Sequence, residues 1–235
     1  MILPDDAPIL LMDNVQYRWP GQASFGLHVP NLTLAPAETV LLLGESGSGK
    51  STLLSLICGT VQPQSGRVSV AGTDIAEMSA GKRDRFRAEQ IGLIFQQFNL
   101  LPYASVQDNI LLPLQFAPQR RDRVASLTDE VTRLCQNLGL PKDVMTERAG
   151  TLSVGQQQRV AAARALIGTP PLIIADEPTS SLDAATQATF LELLFAQSQT
   201  HCTTLLMVSH DARLSPQFDR VIQMADIAQT TRDDA

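Results

Sequence analysis

The sequence is that of an α/β protein in which an antiparallel β layer leads into a core of alternating strands and helices, with a helical lobe inserted into that core. Three observations carry this reading. Short β-type segments punctuated by Pro, Gly and Asn fill residues 9–71, an apolar run passes through a glycine-rich turn into a helix within residues 39–58, and strand and helix alternate again after Pro171. The first segments are ILLMDNVQYRW from Ile9, SFGLHVPNLTLA from Ser24, TVLLLG from Thr39 and GRVSVAG from Gly66. The unbroken run VLLLG predicts a buried strand. IGLIF, residues 91–95, predicts another that ends at Gln96, and for some seventy residues beyond it the pattern is helical. Within 124–138, Leu127, Val131, Leu134 and Leu138 recur at helical spacing, and 153–167 is a second helix former. The strands return with LIIAD from Leu172, then a helix through TFLELLFAQ from Thr189, then TTLLMVSH from Thr203. The closing residues, IAQTTRDDA, are polar and predict a frayed end.

Composition narrows the function classes. A chain of 235 residues, 44% hydrophobic and 18% charged, has enough apolar side chain to bury a full core without disulfide staples. A net charge of −6 argues against binding a nucleic-acid backbone, where affinity comes from clustered Lys and Arg, so no nucleic-acid partner is expected. Cys58, Cys135 and Cys202 show no CxxC or metal-ligand spacing, which fits a reducing compartment and three small core hydrophobes. The opening MILPDDAPIL lacks the basic region of a secretory signal, and no apolar run approaches the ~20 residues of a membrane helix. A membrane role is therefore expected only through a partner.

Two motifs carry phosphate chemistry. Gly44, Glu45, Ser46, Gly47, Ser48, Gly49, Lys50 and Ser51 form a complete GxxxxGK[ST], followed by Thr52. Its glycines let backbone N–H groups turn around phosphate oxygens, Lys50 adds charge toward the β and γ phosphates, and the Ser51 hydroxyl can ligate Mg²⁺. The helix that follows offers its N-terminus to the same anion. Far downstream, LIIA delivers Asp176 and Glu177 at a strand end. The Asp can hold the Mg²⁺ shell, and the Glu can orient or deprotonate an attacking water.

A third stretch, Leu152-Ser153-Val154-Gly155-Gln156 followed by QQRVAAARAL, directly precedes PLIIADEPTSSLD. It resembles the signature motif of ATP-binding cassette (ABC) proteins, and the order of motifs along the chain is that family's. The resemblance runs from about Leu10 to about Met224. It implies a RecA-like P-loop core in one cassette domain over residues 1–235, with the β layer and core in 1–96 and 169–235 and a helical subdomain in 97–168. ATP and Mg²⁺ are the implied cofactors, and ATP hydrolysis is the implied reaction. Gln96 then matches the Q-loop glutamine, touching Mg²⁺ and the water; Ser181-Leu182-Asp183 matches the D-loop, with Asp183 at the nucleotide; and His210 matches the switch histidine. Catalysis falls to Glu177, His210 and Gln96, and the metal to Ser51, Gln96 and Asp176. Ser153, Gly155 and Gln156 of one copy would meet the γ-phosphate on Lys50 of another, which makes the working form a homodimer.

The family places an adenine-stacking aromatic at the end of the first strand, where NVQYRW aligns with Trp19, and Tyr17 is the alternative. IGLIFQQFNLLP and DNILLPL resemble the macrolide exporters, lipoprotein exporters and cell-division ATPase. That subgroup implies an integral membrane permease with a large extracytoplasmic domain, and a cassette on the cytoplasmic side of the inner membrane that drives export or mechanical signalling. A non-transport regulator of extracytoplasmic enzymes is the alternative; cassettes of DNA repair or translation usually carry coiled coils, zinc insertions or two fused cassettes. Val154 stands where the family usually has glycine, and a β-branched side chain there limits close approach. The run KRDRFR, residues 82–87, predicts a short helix with a solvated face; His28 and His201 match no motif.

Overall fold

The computed structural model describes residues 7–20 and 25–231. In chain order the elements begin β1 (Leu10–Arg18), β2 (Gly26–Leu34), β3 (Thr39–Leu43), α1 (Lys50–Ile57), β4 (Ser65–Val70), β5 (Thr73–Asp74) and α2 (Ala80–Gln90). There follow β6 (Ile91–Ile94), α3 (Val106–Leu111), α4 (Pro118–Asp122), α5 (Leu127–Asn137) and α6 (Val154–Leu166). The chain closes with β7 (Leu172–Asp176), α7 (Ala184–Thr200), β8 (Thr204–Ser209), β9 (Arg220–Gln223), α8 (Met224–Ile227) and β10 (Gln229–Thr231). Two compact units result: Met1–Arg87 with Val208–Ala235, and Ala88–Met207.

In the first unit an antiparallel sheet runs in the order β10-β2-β1-β4-β5. Leu10 and Met12, then Val15 and Tyr17, of β1 are buried, a two-residue alternation that shifts by one residue between Met12 and Val15. The β1–β4 register slips between Asp13 and Gln16, where Asn14 adopts a φ of 45°. Beside this sheet the wholly buried β3 pairs in parallel with β9, Val40 opposite Arg220. Asp219 fixes that register by accepting from both the backbone N–H and the hydroxyl of Thr39, and these bonds hold its carboxyl below the usual range.

In the second unit β6 and β7 pair in parallel, Ile91 opposite Leu172, and β8 neighbours β7. Residues 97–168 hold helices and no named strand. The helix expected over 124–138 starts later, at Leu127, because Ser126 caps it by accepting from the Asp129 N–H. Val131, Leu134 and Leu138 are buried as their spacing predicts. Arg120 is 1% exposed; its guanidinium donates to the carbonyls of Ile167, Ala165 and Ala88, and burial lowers its pKa to about 9. β6 lies so close to α6 that a Cβ on Gly92 would land on the Ala165 carbonyl. Gly92→Ala should therefore cost ~1–3 kcal/mol of stability, read as a lowered denaturant midpoint at unchanged slope.

Three expectations are corrected. The polar end does not fray through Thr231: β10 pairs antiparallel with β2, Gln229 opposite His28, through backbone bonds that need no apolar side chains. The basic run is not wholly solvated: Arg83 donates to the carbonyls of Gly59 and Met78, and Arg87 to that of Cys58, so these two cations complement the C-terminal end of α1. Cys58 and Cys135 are buried, and burial pushes the Cys135 thiol up to about 11, but Cys202 is exposed in the turn after α7 at a φ of 50°. Among the described residues, no helix is long and apolar enough to cross a membrane.

Candidate active site

In the first unit, β3 delivers the chain into the glycine-rich loop. Gly47 and Gly49 have φ of 79° and 99°, conformations that side-chain-bearing residues rarely adopt. A Cβ on Gly49 would lie 2.9 Å from Leu27 Cδ1, and one on Gly44 would lie 2.7 Å from Ser48 Oγ and 2.9 Å from Met224 Cβ. The loop is thus pressed tight between β2 and α8. Helix α1 begins on Gly49 with no side-chain cap, whereas Ser105, Ser126, Ser153 and Asp183 cap α3, α5, α6 and α7. Its first-turn amides remain for an anion. Lys50 Nζ is held over the same loop, donating to Gly44 O at 2.6 Å and Glu45 O at 2.9 Å. Ser48 Oγ is buried without a partner among the described residues. A cation, uncapped amides and an orphaned hydroxyl around one tight loop fit a polyphosphate.

Trp19 lies just past β1, 37% exposed, and its Nε1 donates to Thr52 Oγ1 at 3.1 Å. The ring of the buried Tyr17 meets it edge-on at 5.3 Å. The indole is therefore pinned to the first turn of α1. The sequence reading missed this bond, although an indole N–H beside a core needs an acceptor. His210 follows β8 directly and is exposed. Its neighbour Asp211 accepts from Arg213, which holds the Asp211 carboxyl below the usual range.

The second unit gathers the remaining residues. Gln96 lies two residues past β6, and its Nε2 donates to Ser180 Oγ at 3.5 Å. Asp176 ends β7, and Glu177 follows at a φ of 46°, a left-handed conformation that costs free energy for a residue with a Cβ. The wholly buried Gln158, which sequence reading passed over, donates to Pro178 O at 2.6 Å and so ties α6 to this segment. Ser153 and Gln156 form a reciprocal capping box, with Ser153 N donating to Gln156 Oε1 at 2.9 Å and Gln156 N to Ser153 Oγ at 3.3 Å. Ser-x-x-Gln was the signal for it. Val154 is 49% exposed, and a Cβ on Gly155 would meet only Thr186 Cγ2, at 3.7 Å, so nothing within this unit demands glycine there. Asp183 caps α7 by accepting from Ala185 N, Thr186 N and Thr186 Oγ1; the Thr186 bonds foremost hold its carboxyl below the usual range. A cleft of about 570 Å³ unites Ser153, Gly155 and Gln156 with Ser181, Leu182 and Asp183. Ser51 in the first unit carries a hydroxyl, and Gln96 and Asp176 in the second carry an amide oxygen and a carboxylate; oxygen donors of these kinds are the ones Mg²⁺ takes.

Comparison with known proteins agrees with these features. Residues 27–180 match the ABC transporter family model. The chain is 40% identical over 195 residues to the macrolide export ATP-binding/permease protein MacB of Rhodopirellula baltica, covering 83% of this chain and 28% of MacB. It is likewise 40% identical over 195 residues to YbbA of Escherichia coli K12, an uncharacterized ABC transporter ATP-binding protein, covering 83% and 84%. Among solved structures, the dimeric bacterial ABC transporter cassette MJ0796 superposes with a TM-score of 0.76 at 28% identity, over 96% of this chain and 100% of that one. A post-hydrolysis MJ0796 dimer bound to ADP and Pi gives 0.72 at 31% identity, over 91% and 93%. The chain therefore belongs to the ABC transporter family, as an ABC-type ATPase cassette with the α/β P-loop fold.

Proposed function

We propose that two copies of this chain bind two ATP molecules head to tail, hydrolyse them, and pass the closing and opening of that dimer to a membrane permease that exports a substrate. The observation that carries the reading is the tight loop around Lys50 with the uncapped start of α1. That loop would hold the β and γ phosphates, and Trp19 would stack on the adenine. When Mg²⁺ is bound by Ser51, Gln96 and Asp176 it neutralises charge on the phosphates. Glu177 would orient the water and accept its proton, Gln96 would position that water, and His210 would donate to the γ-phosphate. Ser153, Gly155 and Asp183, which share one cleft, would complete the site of the other copy. Support for the dimer comes from the two MJ0796 dimers, and support for export from MacB, a protein that carries its own permease region. The permease would carry a large extracytoplasmic domain, as the resemblance of IGLIFQQFNLLP and DNILLPL to that subgroup implies.

If each site is shared, the ATPase rate of the isolated protein rises faster than linearly with protein concentration; strict proportionality would indicate a self-sufficient monomer. Trp19→Ala should weaken ATP binding by about 1–3 kcal/mol, measured by titration. Unchanged affinity there, with a loss in Tyr17→Ala, would move the stacking role to Tyr17. The exposed Val154 leaves the capped start of α6 intact, so Val154→Gly should change turnover only modestly, whereas Ser153→Arg should abolish it. A rise of orders of magnitude in Val154→Gly would instead mark a degenerate cassette. Co-purification of a permease from the native host tests the membrane partner.

A further inference from the structure

Gln96 sits on a turn held in an unusual conformation. Phe98 and the exposed Asn99 that follows it have φ of 58° and 49°, and such values are uncommon away from glycine, most of all at an aromatic residue. The turn closes locally through Phe98 N to Phe95 O at 3.0 Å and Asn99 N to Gln97 O at 2.6 Å. Backbone of this kind persists only where its surroundings over-determine it. Here the Phe98 ring is itself buried, and the backbone of the turn meets Arg164 of α6, which is 7% exposed. Its Nη1 donates to Asn99 O at 2.6 Å and its Nη2 to Phe98 O at 2.5 Å, so the two arms of one guanidinium hold two successive carbonyls. A buried charge fixed by two short, charge-assisted bonds is hard to displace.

We propose that Arg164 is a positioning residue for Gln96: it clamps the 95–99 turn so that the amide of Gln96 is presented toward Ser180 and the reacting water. The same helix begins at Ser153 and also holds Pro178 through Gln158. α6 is therefore a strut that fixes both the Gln96 turn and the segment after Glu177 to the helix whose start would face the partner's nucleotide. Lysine cannot take over the clamp, because an ammonium is a point charge and lacks the planar fork that spans two carbonyls. Burial lowers the Arg164 pKa, so the two carbonyl bonds are what hold the charge in place against desolvation.

The inference rests on the hydrolytic reading, and its test separates the two. In the full chain, Arg164→Lys should lower kcat by about ten- to a hundredfold. Binding of a non-hydrolysable ATP analogue should be unchanged, and faster amide exchange should be confined to residues 95–101. Asn99→Gly added to Arg164→Lys should recover part of kcat, because glycine adopts the left-handed conformation without strain. A purely structural Arg164 would not respond to that second change. Wild-type kcat in Arg164→Lys overturns the proposal, and so does a parallel loss of analogue binding with faster exchange throughout residues 88–207. Should the wild type show no ATPase, the hydrolytic reading fails by itself and exchange decides the clamp: acceleration confined to 95–101 keeps it, and unchanged exchange overturns it.

Discussion

Glu177→Gln should bind ATP as the wild type does and all but cease to hydrolyse it, with turnover falling by about 10²–10⁴-fold. The amide has the shape of the carboxylate but cannot accept a proton from water. Glu177 is displaced from β7 by its own left-handed backbone, and Ser180 N donates to its carbonyl at 3.2 Å, so the substitution leaves the turn that carries it in place. Trapped ATP should hold the two copies together. Size exclusion with ATP and Mg²⁺ should show a dimer for the variant, beside phosphate release near background. A variant that stays monomeric with ATP bound, and hydrolyses at the wild-type rate, would remove Glu177 from the mechanism.

Lys50→Ala should act on binding rather than on turnover of bound nucleotide. Each charge-assisted hydrogen bond from Nζ to a phosphate oxygen is worth about 1.5–3 kcal/mol, a loss of roughly ten- to over a hundredfold in ATP affinity. The ammonium also donates to the carbonyls of Gly44 and Glu45, so its removal loosens the loop from within. Calorimetric titration with ATP and with ADP should show both weakened, ATP more. Equal affinities in variant and wild type would mean that the phosphates lie elsewhere.

What the sequence disclosed and what it withheld divide along a physical line. Contiguous signals were legible: the unbroken apolar run of β3, the glycines at 44, 47 and 49, and the spacing of Val131, Leu134 and Leu138 each encode their role within a few residues. Interactions between distant residues were not. Arg83 and Arg87 look like surface charge until their partners at Met78, Cys58 and Gly59 come close, the last two more than twenty residues away. β10 pairs through its backbone alone, and three exposed polar residues leave no hydrophobic alternation to read. Asp183 is legible as a motif residue, while its second task as the cap of α7 shows only in the fold. Nothing in the string QQRVAAARAL points from Arg164 to the carbonyls of Phe98 and Asn99 some sixty-five residues earlier.

The pinned indole of Trp19 has a practical side. It is the sequence's single tryptophan, and its ring nitrogen is bonded to the first turn of the helix that follows the phosphate loop. The protein thus carries one native indole fluorophore, beside the loop that the proposed reading gives to nucleotide, with Tyr17 5.3 Å away as an energy donor. Emission from an unlabelled sample should report nucleotide occupancy directly, so the affinities of the Lys50 and Glu177 variants can be followed by intrinsic fluorescence, without an attached dye that would crowd the site.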